Sequence, residues 1–147
     1  MPFVDVKLSD VELEKPNPVP VGTYVFLLLP GAEYRQNKFN SIEELNVSAA
    51  VAEGEHQGRR IFWSYPDPTA ISSKGKSLAW SAQALKKFEL SLGVDALPGE
   101  DPQTYLNRVA SSGNARFTGT IQPSRFIREG ETEGRPEFNV FSVSPAA

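Results

Sequence analysis

Three strand-like segments come first, then a long and a short helical segment, then two more strand-like segments. This order limits the folds open to the chain more than any other feature of it. The first segment, Thr23 to Leu29, is apolar at every position after Thr23, the pattern of a strand covered on both faces. Pro30-Gly31 sets a bend, and Ala32 to Arg35 resumes the strand before a polar loop, Gln36 to Asn40. The second, about Glu44 to Val51, sets Leu45, Val47, Ala49 and Val51 against a wet face of Glu44, Asn46, Ser48 and Ala50. The third, Arg59 to Tyr65, is closed by Pro66 and Pro68. It carries aromatics on both faces, Arg60, Phe62 and Ser64 on one and Ile61, Trp63 and Tyr65 on the other.

Ser72 and Ser73 offer N-caps for a helix from about Lys74 to Leu92, with Gly93 where a left-handed C′ glycine belongs. Leu78, Ala82, Leu85, Phe88 and Leu92 share one helical face, and Trp80 falls about 200° away from Leu78. Asp101-Pro102 reads as an N-cap followed by an N1 proline, opening a short helix through Tyr105, Leu106 and Val109 to Gly113. The fourth strand is about Ala115 to Gln122 and the fifth Glu137 to Val143, joined by a turn containing Gly130 and Gly134. The expectation is a mainly β domain over residues 22–147: an OB-fold-like, five-stranded Greek-key barrel with one main and one short helix between strands three and four. Tyr24, Phe26, Phe88, Phe117 and Phe138 are its expected aromatic core. Residues 1–21 read as an extended, partly mobile arm, with Val4, Val6 and Leu8 alternating with charges ahead of Pro16, Pro18 and Pro20.

At 147 residues this is one domain by length, with room for a core that needs no staples. No cysteine is present, which excludes disulfides, thiolate metal sites and Cys nucleophiles and suits a reducing compartment. The longest apolar run, Val25 to Pro30, is too short to cross a bilayer, so a soluble cytoplasmic protein without membrane contact is expected.

The formal charge of −3 conceals a segregation. Residues 59–128 carry ten Lys/Arg against five Asp/Glu, a balance of +5, and the remainder carries five against thirteen, or −8. The basic half points to an anionic partner although the whole chain is acidic. Lys74-Gly75-Lys76-Ser77 suggests a phosphate loop, but that loop needs a glycine where Ala70 stands; a basic helix N-terminus is the better reading. His56 is the single histidine, in a polar Gly-flanked loop, and reads as a surface residue. Carboxylates fall in loops or at element ends. No catalytic residue, metal ligand or cofactor is implied, and no enzyme is expected.

The more specific signal is cations interleaved with rings. Unpaired nucleic acid is held by cations along its phosphates and by flat side chains stacked on its bases. The chain offers Tyr34-Arg35, Lys38-Phe39, Arg59-Arg60 with Phe62, Trp63 and Tyr65, Arg116-Phe117, and Arg125-Phe126 with Arg128 and Arg135. In a barrel of this type these stand on strand three, strand four and the loops after strands one and four, where oligonucleotides bind. The candidate interface is therefore Tyr34, Arg35, Lys38, Arg59, Arg60, Trp63, Tyr65, Lys74, Lys76, Arg116, Arg125, Phe126 and Arg128. If Trp63 is core, Phe62 and Arg60 inherit the groove.

Gly22-Thr-Tyr-Val, Gly58-Arg-Arg-Ile-Phe-Trp, the helix end Leu92-Gly93-Val94 and the closing Arg135-Pro-Glu-Phe-Asn-Val-Phe together resemble a family of small bacteriophage-encoded proteins. These are regarded as single-stranded DNA-binding proteins of replication and recombination modules. The resemblance spans about residues 20–143. It implies an OB-fold, protection of single-stranded DNA without sequence preference, and location in a host cytoplasm alongside phage replication or recombination proteins. Bacterial single-strand binding proteins end in an acidic, Phe-terminated tail that recruits partners, whereas this sequence ends in Pro-Ala-Ala. The rival expectation is the same barrel as a protein-binding module, an accessory or virion component that does not touch DNA. A homo-oligomer is compatible with either.

Overall fold

A computed structural model describes residues 19–72 and 74–146. The expected arm over residues 1–21 lies outside these except for its last residues, of which Val19 is buried in the core. Six strands and two helices follow in the order β1 (Gly22–Leu28), β2 (Glu33–Gln36), β3 (Glu43–Val51), β4 (Arg60–Pro66), α1 (Trp80–Leu92), α2 (Pro102–Ala110), β5 (Arg116–Pro123) and β6 (Pro136–Pro145). All pairings are antiparallel, in one open sheet of order β2-β3-β1-β5-β6, with β4 on the other edge of β3. The mainly β class and the two helices before the last two strands match the expectation; the count is six strands, not five.

The additional strand arises at the bend. β3 pairs through Ala49–Val51 with β1 and through Glu43–Asn46 with β2, both on one edge. β1 and β2 are thus successive halves of one path, broken at Pro30-Gly31, where Gly31 has φ +105°. The side chain of Asn107 in α2 holds the break: its Oδ1 accepts from the N–H groups of Gly31 (2.9 Å) and Ala32 (3.1 Å), and its Nδ2 donates to the Ala32 carbonyl (2.9 Å).

The strand faces follow the alternation in the sequence. Leu45, Val47, Ala49 and Val51 of β3 and Ile61, Trp63 and Tyr65 of β4 are buried, as are Phe26, Leu28, Phe117 and Ile121. The core is largely aromatic. Phe117 stacks on Phe26 at 5.5 Å and meets Phe88 edge-on at 4.8 Å, while Trp63 packs on Phe138 at 4.5 Å and on Phe88 at 5.6 Å. Each such pair adds about 0.5–1.5 kcal/mol beyond burial. Of the five expected core aromatics, Phe26, Phe88 and Phe117 are fully buried and Tyr24 and Phe138 pack against them half-buried.

Gly119 makes room for these rings. A Cβ there would lie 2.7 Å from Phe138 and 3.1 Å from Phe26. Gly119→Ala should therefore overpack the core, with a loss of about 1–3 kcal/mol read as a lower midpoint in urea.

Helix α1 starts at Trp80, six residues later than expected. A tight turn stands there instead: Ile71 bridges to Ser77, and Ser72 Oγ accepts from the Lys76 N–H (3.1 Å), with Gly75 at φ +75°. Ser72 therefore serves a turn and does not cap the helix, and Ser73 lies outside the described residues. The N-cap is Ala79, without a side-chain bond, while Gly93 closes the C-terminus at φ +71° as expected. The buried face is Ser81, Ala84, Phe88, Ser91 and Leu92, rotated from the expected stripe; Leu85 is half-buried and Ala82 exposed. The helix packs against β6, and its buried face carries small side chains at positions 81, 84 and 91. Helix α2 begins as read, with Asp101 Oδ2 accepting from the Thr104 N–H and Pro102 in the first turn.

Candidate nucleic-acid interface

Cross-strand partners in an antiparallel sheet point to the same face. Arg60 of β4 pairs with Ala50 of β3, Ala50 with Leu27 of β1, and Leu27 with Arg116 of β5. These four residues form one row across four strands on the face opposite the aromatic core. The two arginines end the row, about 14 Å apart by three strand spacings. Between them lie only a methyl and a half-buried leucine. In the neighbouring row Phe62 opposes Ser48, and its ring is 73% exposed. Helix α1 packs against the other side, its Phe88 among the core rings, so it leaves this outer face open.

Two loops bound the sheet at opposite ends, because β3 and β5 both run antiparallel to β1. The β2–β3 loop precedes β3 and is held by Asn37, whose Oδ1 accepts from the Phe39 N–H (2.8 Å). Lys38 and the 99% exposed Phe39 stand at its tip. The β5–β6 loop follows β5 and presents Arg125, Phe126, Ile127 and Arg128, with Phe126 71% and Ile127 52% exposed.

The other expected site residues are placed differently. Trp63 and Tyr65 are core, at 9% and 1% exposure, so neither ring is open to a base. The alternation of β4 sends them inward with Ile61 and leaves Phe62 outside. Arg59 is half-buried in the turn before β4, its N–H donating to the His56 carbonyl (3.1 Å). Arg35 is paired with Glu33 across 2.5 Å, and Arg135 with Glu131 across 2.9 Å. Tyr34 donates to Asp101 Oδ2 (3.0 Å) and accepts from the Gln103 N–H (3.3 Å), which ties β2 to the start of α2. Lys74 and Lys76 sit on the tight turn before α1, not at a helix N-terminus. His56 is half-buried, its ring edge-on to Tyr24 at 6.0 Å.

An acidic region lies on the far side of the molecule. Glu100 takes a bidentate pair from Arg108, at 2.8 Å to each carboxylate oxygen, and also accepts from the Leu97 N–H. The Arg108 contact, with the Leu97 bond second, holds the Glu100 carboxyl below its ordinary range. A lowered native value means that the bridge contributes fully above the unfolded-state value near pH 4.3 and is lost as pH falls through the native one. Arg108→Met should therefore lower the melting temperature at neutral pH and bring the two proteins together as pH approaches 3, checked by thermal melts across pH 3–7.

Among the described residues no helix is long and apolar enough to cross a membrane, and no three carboxylate or imidazole groups converge to hold a metal ion. No protein-family model and no curated protein matches the chain.

Proposed function

We propose that this protein binds single-stranded DNA, largely without sequence preference, and shields it during phage DNA replication or recombination. The observation that carries this reading is the outer sheet face: Arg60 and Arg116 at the two ends of one cross-strand row, with Phe62 exposed beside it. Two cations separated by an uncharged strip suit a phosphate backbone crossing the strands, and a free ring suits an unstacked base. Flat stacking is indifferent to base identity, which is why no sequence preference is expected.

The strand order supports a barrel of the OB type. With β1 and β2 taken as one bent strand, the path β4-β3-β1-β5-β6 is compatible with a five-stranded Greek-key barrel left open between β4 and β6. In that arrangement the strand pair β3–β4 and the loops at the two ends of the sheet frame the binding face. Lys38 and Phe39 stand on one of those loops.

The test is fluorescence anisotropy of a labelled oligo-dT and a matched duplex across a salt series. Binding of the single strand that is tight at low salt and falls steeply with added salt supports the reading. No binding at low salt removes it. Phe62→Ala should weaken oligo-dT binding by about 1–3 kcal/mol, the worth of one stacked base, while leaving the thermal melt unchanged.

A further inference from the structure

On the side away from the arginine row, a groove of about 470 Å³ opens between α1, α2 and the ends of β3 and β4. That volume is in the range of built binding sites. Its floor is apolar, formed by Leu45, Tyr65, Leu85 and Leu106. Its rim is acidic. Glu89 is matched by Lys86 and Glu100 by Arg108, but Glu43 and Asp67 make no ion pair among the described residues. Tyr65 contributes to that floor while being only 1% exposed itself.

The complement of this groove stands on the same chain. The β5–β6 loop carries Arg125-Phe126-Ile127-Arg128, two exposed apolar side chains between two cations. Among its acids, Glu131 is held by Arg135, Glu129 stands in the turn after Arg128, and Glu133 lies on the returning arm. The groove lies at the end of the sheet where β3 begins and β4 ends. The loop lies at the opposite end, where β5 finishes. A molecule therefore cannot fill its own groove. We propose that the groove receives the β5–β6 loop of a second copy of this chain, with Phe126 and Ile127 on its apolar floor and Arg125 and Arg128 against its unpaired carboxylates.

Such a contact is heterologous, head to tail, and each added copy presents a further groove and loop unless the rotation closes a ring. It also leaves the arginine row uncovered and does not depend on nucleic acid.

The experiment is sedimentation velocity on the DNA-free protein, at concentrations up to the millimolar range, with two variants. Ala82→Trp plugs the groove from an exposed position on its wall. Phe126→Asp with Ile127→Asp disables the loop at exposed positions. Wild-type protein should associate progressively with concentration, and more weakly at high salt. Each variant alone should stay monomeric, and an equimolar mixture of the two should form one-to-one pairs and nothing larger, because each supplies the half that the other lacks. A labelled peptide spanning residues 123–136 should bind wild-type and loop-variant protein and lose about tenfold or more in affinity on Ala82→Trp. Wild-type protein that remains monomeric and does not bind the peptide overturns the proposal. So does a mixture that fails to pair, or a lysine-leucine peptide that binds the groove as tightly as the loop sequence, since the groove would then serve another basic partner.

Discussion

Phe117→Ala is expected to lower the unfolding free energy by about 3–5 kcal/mol, the usual loss when a phenylalanine is removed from a packed core. Phe117 is fully buried on β5, stacked on Phe26 and edge-on to Phe88, with Trp63 and Phe138 within 6.1 Å of its ring centre. The site cannot collapse easily. Its neighbours sit on β1, α1, β4 and β6, and their rings are held by one another. Against a total stability of about 5–15 kcal/mol for a domain of this kind, the loss is a large fraction. Urea unfolding followed by tryptophan fluorescence is a direct readout because Trp63 lies in the same cluster. The midpoint should move with the slope unchanged. A loss below about 1 kcal/mol would mean that the rings do not share one core.

Reversing both arginines of the outer row, Arg60→Glu with Arg116→Glu, should reduce oligo-dT affinity by about 100-fold or more at low salt. Two charge-assisted contacts at about 1.5–3 kcal/mol each account for that loss. The salt dependence should also become shallower, by about 0.7 in the log–log slope for each phosphate contact removed. Neither side chain is buried, and neither makes an ion pair among the described residues, so the melting temperature should hold. Unchanged affinity in a folded variant would move the nucleic acid off this face. Glutamine replacements at the same two positions should give an intermediate loss, because they remove charge without adding repulsion.

Much of this fold is legible in the sequence where periodicity is strong. The alternation of Leu45 to Val51 predicts both β3 and its buried face, and Asp101-Pro102 and Gly93 mark helix ends through capping chemistry that needs only local contacts. The faces of Arg59–Tyr65 are also readable as two sets, but which set is dry is not. Both hold aromatics, and only the sheet's packing against α1 decides. That ambiguity is why Trp63 and Tyr65 read as stacking residues while Phe62 is the ring left outside. The helix start is misread for a related reason. Ser72 offers a cap that a tight turn around Gly75 uses instead, and α1 begins without a side-chain cap at all. Burial of Ser81 and Ser91 runs against hydropathy, so the stripe read from apolar residues misses them. The acidic groove leaves no local trace, since its carboxylates come from β3, the β4–α1 connection, α1 and the α1–α2 connection.

The central position of β1 also sets a timetable. One of its edges is taken by β3, about twenty-five residues downstream, but its other edge pairs with β5, so that Thr23 meets Thr120. On a ribosome adding about 5–20 residues per second, that partner emerges several seconds after the first strand. Throughout that interval a strand of Tyr, Val, Phe and Leu presents an unpaired backbone, the feature that most readily recruits another chain. The early meander of β1 to β4 can assemble from near neighbours, whereas closing β5 against β1 must wait and is slow by its sequence separation. Truncations ending before Arg116 should therefore aggregate rather than remain soluble, and expression of the intact chain should improve at lower temperature, where apolar association of the open edge weakens.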